Sequence, residues 1–109
     1  MKFSDLSSIS PIDGRYSKLV TELQDIFSEY GLIKYRIFVE IEWFIHLSCQ
    51  LNIKELPKLT KTSANSLRAI HNEFNLKEAK KVKNIEKKTN HDVKAVEYYL
   101  KNKLNGVFS

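Results

Sequence analysis

A chain of 109 residues, 42% hydrophobic and 28% charged, is long enough to enclose one core and too short for two. Its apolar positions are spread along the chain, which excludes wholesale disorder. The formal charge of +5 gathers around Lys77, Lys80, Lys81, Lys83, Lys87 and Lys88, a segment suited either to attracting anions or to forming a solvated helix face.

The single cysteine, Cys49, excludes an internal disulfide. The longest apolar stretch, Ile37 to Leu51, is broken by Glu40, Glu42 and His46, short of the ~20 predominantly apolar residues a bilayer crossing needs. Met1 to Ser10 lacks the layout of a secretory signal. The expectation is a cytoplasmic protein with no membrane span.

Few alternating runs occur and helical spacings dominate, so the chain is expected to be all-α, a single helical domain over residues 1–109 with an irregular arm at 1–16. The arm holds the turn-forming run Ser10-Pro11-Ile12-Asp13-Gly14. Ser17 is placed to cap a first helix over about Lys18 to Tyr30, with Leu19, Leu23, Ile26, Phe27 and Tyr30 on one face and Gly31 as its stop.

The next helix, Leu32 to Gln50, reads Leu32, Tyr35, Val39, Trp43 and Leu47 as one stripe, with Ile33, Ile37, Ile41, Phe44 and Ile45 filling much of the rest. A helix apolar nearly all round must be covered on more than one side, and Glu40 and Glu42 need polar partners or a wet edge. His46 on this helix reads as a core histidine, and His71 as a surface one. After a connection over Asn52 to Pro57, a shorter helix begins near Ser63. Asn75 followed by Glu78 is a capping pattern for a surface helix with Ala79, Val82 and Ile85 inward. A last helix carries Val93, Val96, Leu100 and Leu104 and ends at Gly106.

Two segments stand out chemically. Lys87-Lys88-Thr89-Asn90-His91-Asp92-Val93-Lys94 interrupts the apolar pattern, so Asn90, His91 and Asp92 fall at a loop-to-helix junction. Free backbone N–H groups there favour phosphate or carboxylate ligands, and the three side chains offer an amide, an imidazole and a carboxylate. Equally, Thr89 or Asn90 can serve simply as an N-cap, with Asp92 favouring the helix dipole. In Asp13-Gly14-Arg15-Tyr16, the arginine can grip a phosphate or carboxylate and the tyrosine can stack, while glycine allows a sharp bend beside a ligand; the same residues also make an ordinary surface turn. No phosphate loop, zinc spacing or dinucleotide fingerprint is present.

Three segments, Ser10-Pro11-Ile12-Asp13-Gly14-Arg15-Tyr16, Ile26-Phe27-Ser28-Glu29-Tyr30-Gly31-Leu32 and Thr89-Asn90-His91-Asp92-Val93-Lys94-Ala95-Val96-Glu97-Tyr98, resemble in order, spacing and wording the adenylosuccinate lyase family. The resemblance implies the small helical amino-terminal domain of the fumarase/aspartase-like lyase fold. It implies elimination of fumarate from adenylosuccinate, giving AMP, and from succinylaminoimidazole carboxamide ribotide, with no metal or organic cofactor. It also implies that Arg15 and Tyr16 hold the nucleotide near its phosphate, that Asn90, His91 and Asp92 line the substrate site, and that His91 either hydrogen-bonds the substrate or assists proton transfer. Family enzymes are several times longer homotetramers whose catalytic histidine acid and serine base lie in later segments. The central bundle and C-terminal domain are therefore expected to be absent here, and the fragment alone inactive. A small basic helical module binding nucleic acid is the competing reading, though no recognition element is legible.

Overall fold

The computed structural model describes residues 4–50, 56 and 58–108, the last three by their helical backbone. Among the described residues all regular structure is helical: α1 (Gln24–Phe27), α2 (Glu29–Gln50), α3 (Lys61–Asn72), α4 (Leu76–Thr89) and α5 (Asp92–Phe108), preceded by two 3₁₀ turns, Ser17–Leu19 and Thr21–Leu23. The all-α expectation holds. The chain forms two compact units, residues 1–32 and 33–109. The connection expected over Asn52 to Pro57 falls, apart from Leu56, outside the described residues.

In the first unit the arm is a succession of hydrogen-bonded turns. The Ser7 and Ser8 amides donate to the Ser4 carbonyl at 3.1 and 2.8 Å, and the Tyr16 amide donates to Pro11 at 2.9 Å. The helix expected over Lys18 to Tyr30 is not continuous. Ser17 opens a 3₁₀ turn instead of capping a helix, and the preceding Tyr16 makes no side-chain cap. The apolar residues meant to bury one face, Leu19, Leu23, Ile26 and Phe27, are exposed, so packing does not support a long helix.

Ser28 makes the break. Its backbone is extended at φ −87° and ψ 170°, its hydroxyl donates back to the Gln24 carbonyl, and the same oxygen accepts from the Gly31 amide at 3.0 Å. Ser28 thereby ends α1 and caps α2, so Gly31 lies in the first turn of α2 and does not stop a helix. A Cβ on Gly31 would sit 2.7 Å from the backbone of Asp25 and Ile26. Close approach of the preceding turn is what requires glycine there.

In the second unit α2 buries Ile33, Ile37, Ile41 and Ile45. These share a core with Leu67 of α3, Ala79 and Val82 of α4, and Ala95, Val96, Tyr99 and Leu100 of α5. Each fully buried aliphatic contributes about 1.5 to 3 kcal/mol. The other stripe is not buried: Leu32, Tyr35, Val39 and Trp43 are all exposed, so the cover expected on more than one side of this helix is not supplied along that row by the described residues. Both rows have helical spacing, but the isoleucine row is uniformly aliphatic and fills the core without stranding a polar tip. His46 follows the exposed row, stacked on Trp43 with ring centroids 5.7 Å apart, and is not a core histidine. His71 is half-buried against Phe38 at 4.9 Å, deeper than its surface reading.

Caps set the remaining boundaries. Thr60 accepts from the Ser63 amide at 3.1 Å and starts α3; Asn75 accepts from the Glu78 amide at 3.0 Å and starts α4. Helices α4 and α5 form an antiparallel hairpin whose open end is joined by the Tyr99 hydroxyl donating to Glu78 at 2.9 Å. Helix α5 passes through Gly106 instead of ending there. No described glycine has positive φ, so Gly106 acts as an interior helix residue at a cost of about 1 kcal/mol relative to alanine. No described helix is long and apolar enough to cross a membrane, and no described cluster of three or more His, Cys, Asp or Glu is arranged to hold a metal.

Candidate functional site

The elbow between α4 and α5 is built by three consecutive residues. Asn90 ends α4 in the left-handed region, at φ 53° and ψ 33°, with its amide donating to the Glu86 carbonyl. Asparagine tolerates that conformation better than most residues. His91 is the cap of α5: its Nδ1 accepts from the Lys94 amide at 3.2 Å, and its carbonyl accepts from Ala95 at 3.1 Å. Neither Thr89 nor Asn90 fills the N-cap position. Thr89 instead clasps the His91 backbone, accepting from its amide at 3.3 Å and donating to its carbonyl at 3.1 Å.

An imidazole whose Nδ1 accepts a hydrogen bond carries its proton on Nε2 in the neutral form. With the His91 side chain 63% exposed, the group offered outward is an Nε2–H donor. Asp92 is committed differently. One carboxylate oxygen accepts from the Val93 amide at 2.8 Å, and the other pairs with Nη1 of Arg36 on α2 at 3.0 Å. The Val93 amide first, and then Arg36, hold the Asp92 carboxyl below its ordinary 3.8. The anion is therefore stable but largely occupied.

In the first unit, Arg15 and Tyr16 are both exposed. The Arg15 guanidinium lies over the Tyr16 ring at 5.0 Å, an arrangement that orients a cation while leaving its donors free. Gly14 is buried. A Cβ on it would meet Asp5 and Ser8 at 3.0 to 3.1 Å, so this glycine serves contact with the neighbouring turn. Arg15 and Tyr16 thus stand together in one unit, and Asn90, His91 and Asp92 together in the other.

Sequence reasoning missed Arg36. Its signal was present, since a cation inside an apolar helix needs a partner, but the identity of that partner depends on tertiary packing. Two clefts of the second unit lie away from the elbow: one of about 190 Å³ is floored by Ile41, Phe44, Leu67, Leu100 and Leu104, and a polar one of about 360 Å³ is lined by residues including Ser66, Asn75, Glu78 and Lys103.

No protein-family model matches the chain. Individual relatives do. It is similar to an adenylosuccinate lyase of Buchnera aphidicola subsp. Schizaphis graminum, 50% identical over 105 residues, covering 96% of this chain and 23% of that protein. The adenylosuccinate lyase of Escherichia coli K12 is 47% identical over 104 residues, 95% of this chain and 23% of its own length. That of Dictyostelium discoideum is 49% identical over 106 residues, with 96% and 23% covered. The chain therefore spans about 23% of the length of the relatives it matches. With such identity sustained from the turn-rich arm to the last helix, the chain is a homologue of the adenylosuccinate lyases and corresponds to their amino-terminal part.

Proposed function

We propose that these residues form a substrate-binding part of an adenylosuccinate lyase, which eliminates fumarate from adenylosuccinate to give AMP and from succinylaminoimidazole carboxamide ribotide. The observation that carries this reading is identity of 45 to 50% over 94 to 96% of the chain to relatives bearing that name. Arg15 binds the phosphate as a charge-assisted donor, and Tyr16 supports it. Asn90 contributes its amide at the elbow. His91, its Nδ1 used by the Lys94 amide, hydrogen-bonds the substrate through Nε2–H; in this state it has no free lone pair with which to take a proton. Asp92 shapes the elbow and supplies local negative charge.

β-Elimination requires a base for a C–H proton next to a carboxylate and an acid for the departing amine. As the resemblance implies, the acid and base belong to other segments of the assembled enzyme, a cytoplasmic homotetramer working without metal or organic cofactor. The 109 residues alone turn over no substrate.

A chimera tests this: the matched residues of the Escherichia coli relative are replaced by this chain and fumarate release from adenylosuccinate is followed. Turnover within about tenfold of the parent is expected, a difference of about 1.4 kcal/mol. A chimera that assembles as the parent does yet releases no fumarate overturns the reading. Turnover by the purified 109-residue chain, above a mock preparation, overturns the assignment of acid and base to other segments.

A further inference from the structure

Arg36 pairs with Asp92, one of the residues the resemblance assigns to the site, and the geometry around that contact gives it a task. Asp92 Oδ1 lies 3.9 Å from His91 Nδ1, close enough that a small rotation would bring the two into hydrogen-bonding distance. A carboxylate accepts strongly from an imidazole N–H, so such a rotation favours a proton on Nδ1. That proton would cost α5 its cap, because Nδ1 now accepts from the Lys94 amide at 3.2 Å. It would also strip Nε2 of its hydrogen and turn the exposed face of the ring from donor to acceptor. Two contacts oppose the rotation: the Val93 amide on Oδ1 at 2.8 Å, and Arg36 on Oδ2 at 3.0 Å. The first is local to the elbow. The second comes from α2, next to Ile37, which is completely buried, so its backbone is fixed by the core.

We propose that Arg36 is a positioning residue which, by holding the Asp92 carboxylate away from His91 Nδ1, keeps His91 in its Nε2–H form as cap and outward hydrogen-bond donor. The inference deepens the lyase reading in assigning a use to that donor, but the geometric claim stands on this chain alone.

The test is nitrogen NMR of the His91 ring in the 109-residue chain, at a pH where the imidazole is neutral. The native chain should show Nδ1 at the unprotonated position and Nε2 at the protonated one. Arg36→Met should move the Nδ1 signal toward the protonated position and speed exchange of the Lys94 amide, with helicity by circular dichroism unchanged. Arg36→Lys should restore most of the native pattern, since it keeps the charge although it loses the planar fork. The double variant Arg36→Met/Asp92→Asn should also return to the native tautomer, because the neutral amide draws the proton far less. If Arg36→Met loses helicity, Arg36→Gln replaces it in both the single and the double variant. An unchanged Nδ1 signal in the single variant overturns the proposal, and so does a shifted signal that persists in the double variant. In the chimera Arg36→Met should lower kcat more than it raises KM. A changed tautomer with unchanged kinetics in an active chimera would leave the positioning intact and refute the use of the donor in catalysis.

Discussion

The Arg68 guanidinium grips the Glu42 carboxylate through two parallel hydrogen bonds, Nε to Oε1 at 2.8 Å and Nη2 to Oε2 at 3.1 Å. This fork answers the need of Glu42 for a partner within an apolar helix and ties α3 to α2. The hydrogen bond from Arg68 is the largest influence on Glu42, outweighs the effect of burial, and sets its carboxyl below the ordinary 4.5. A carboxyl whose folded pKa is depressed adds stability that is complete above its unfolded value and disappears as pH falls through the folded one. Glu42→Gln should therefore melt below the native chain at pH 7, with the gap closing as pH drops below about 4.5. Since the pair is partly exposed, at 47% and 36%, the gap should also shrink in high salt. A gap that is constant with pH would show that the pair contributes by shape alone.

Tyr99 makes the corresponding connection between α5 and α4. It is 3% exposed, its ring meets Phe74 edge-on at 6.1 Å, and burial followed by the adjacent Glu78 pushes its hydroxyl pKa far above the ordinary 10, so it remains a donor. Burial raises the Glu78 carboxyl, but hydrogen bonds from Tyr99 and Lys81 with the attraction of Lys103 prevail and leave it lowered. Tyr99→Phe keeps the ring and loses only the donor. Urea unfolding should show a loss of about 1.5 kcal/mol, the lower end of the range for a hydrogen bond to a charged group, because Lys81 and Lys103 stay on the carboxylate. No measurable loss would mean that the lysines suffice.

Gly31 gives a case in which two physical effects predict opposite signs. Alanine is favoured over glycine inside a helix by about 1 kcal/mol, and Gly31 lies within α2. The added methyl would meet the Asp25 carbonyl oxygen and Ile26 backbone at 2.7 Å, and rigid backbone cannot yield as a side-chain tip can. Overpacking of this kind costs about 1 to 3 kcal/mol. Gly31→Ala should accordingly be destabilising in a thermal melt; a stabilised variant would show that the α1–α2 junction opens easily.

Gly31 also shows what the sequence does and does not reveal. Its position after an apolar period resembles a helix stop, and only the Ser28 hydroxyl, which bonds both Gln24 and Gly31, makes it part of a helix start. Local chemistry was legible where one side chain decides the outcome, as with Asn75 capping α4. Choosing between two equally periodic rows of α2 was not, because exposure of Trp43 and burial of Ile41 depend on what α3 and α5 bring to the core. The elbow residues were legible as a group. That His91, and not its neighbours, would be the cap was hidden, since histidine is not among the preferred capping residues.

That unusual cap allows the two duties of His91 to be separated. His91→Ala removes both the Nδ1 acceptor for the Lys94 amide and the Nε2 donor, whereas His91→Asn replaces the acceptor with a favoured capping group and lacks a donor at the imidazole's reach. The alanine variant of the 109-residue chain should lose about 0.5 to 2 kcal/mol, the usual cost of a missing cap, and the asparagine variant should match the native melt. In the chimera with the Escherichia coli relative both should lose about 10- to 100-fold in kcat/KM, the scale of a hydrogen bond to a charged acceptor at about 1.5 to 3 kcal/mol. Arg15→Ala provides the contrast: a phosphate contact is made equally in the ground and transition states, so KM should rise by a similar factor while kcat stays near native. If His91→Asn retains both native stability and native kinetics, the imidazole at this elbow is a cap and nothing more. If it retains stability and loses turnover, the exposed Nε2–H is the part of the residue that the reaction uses.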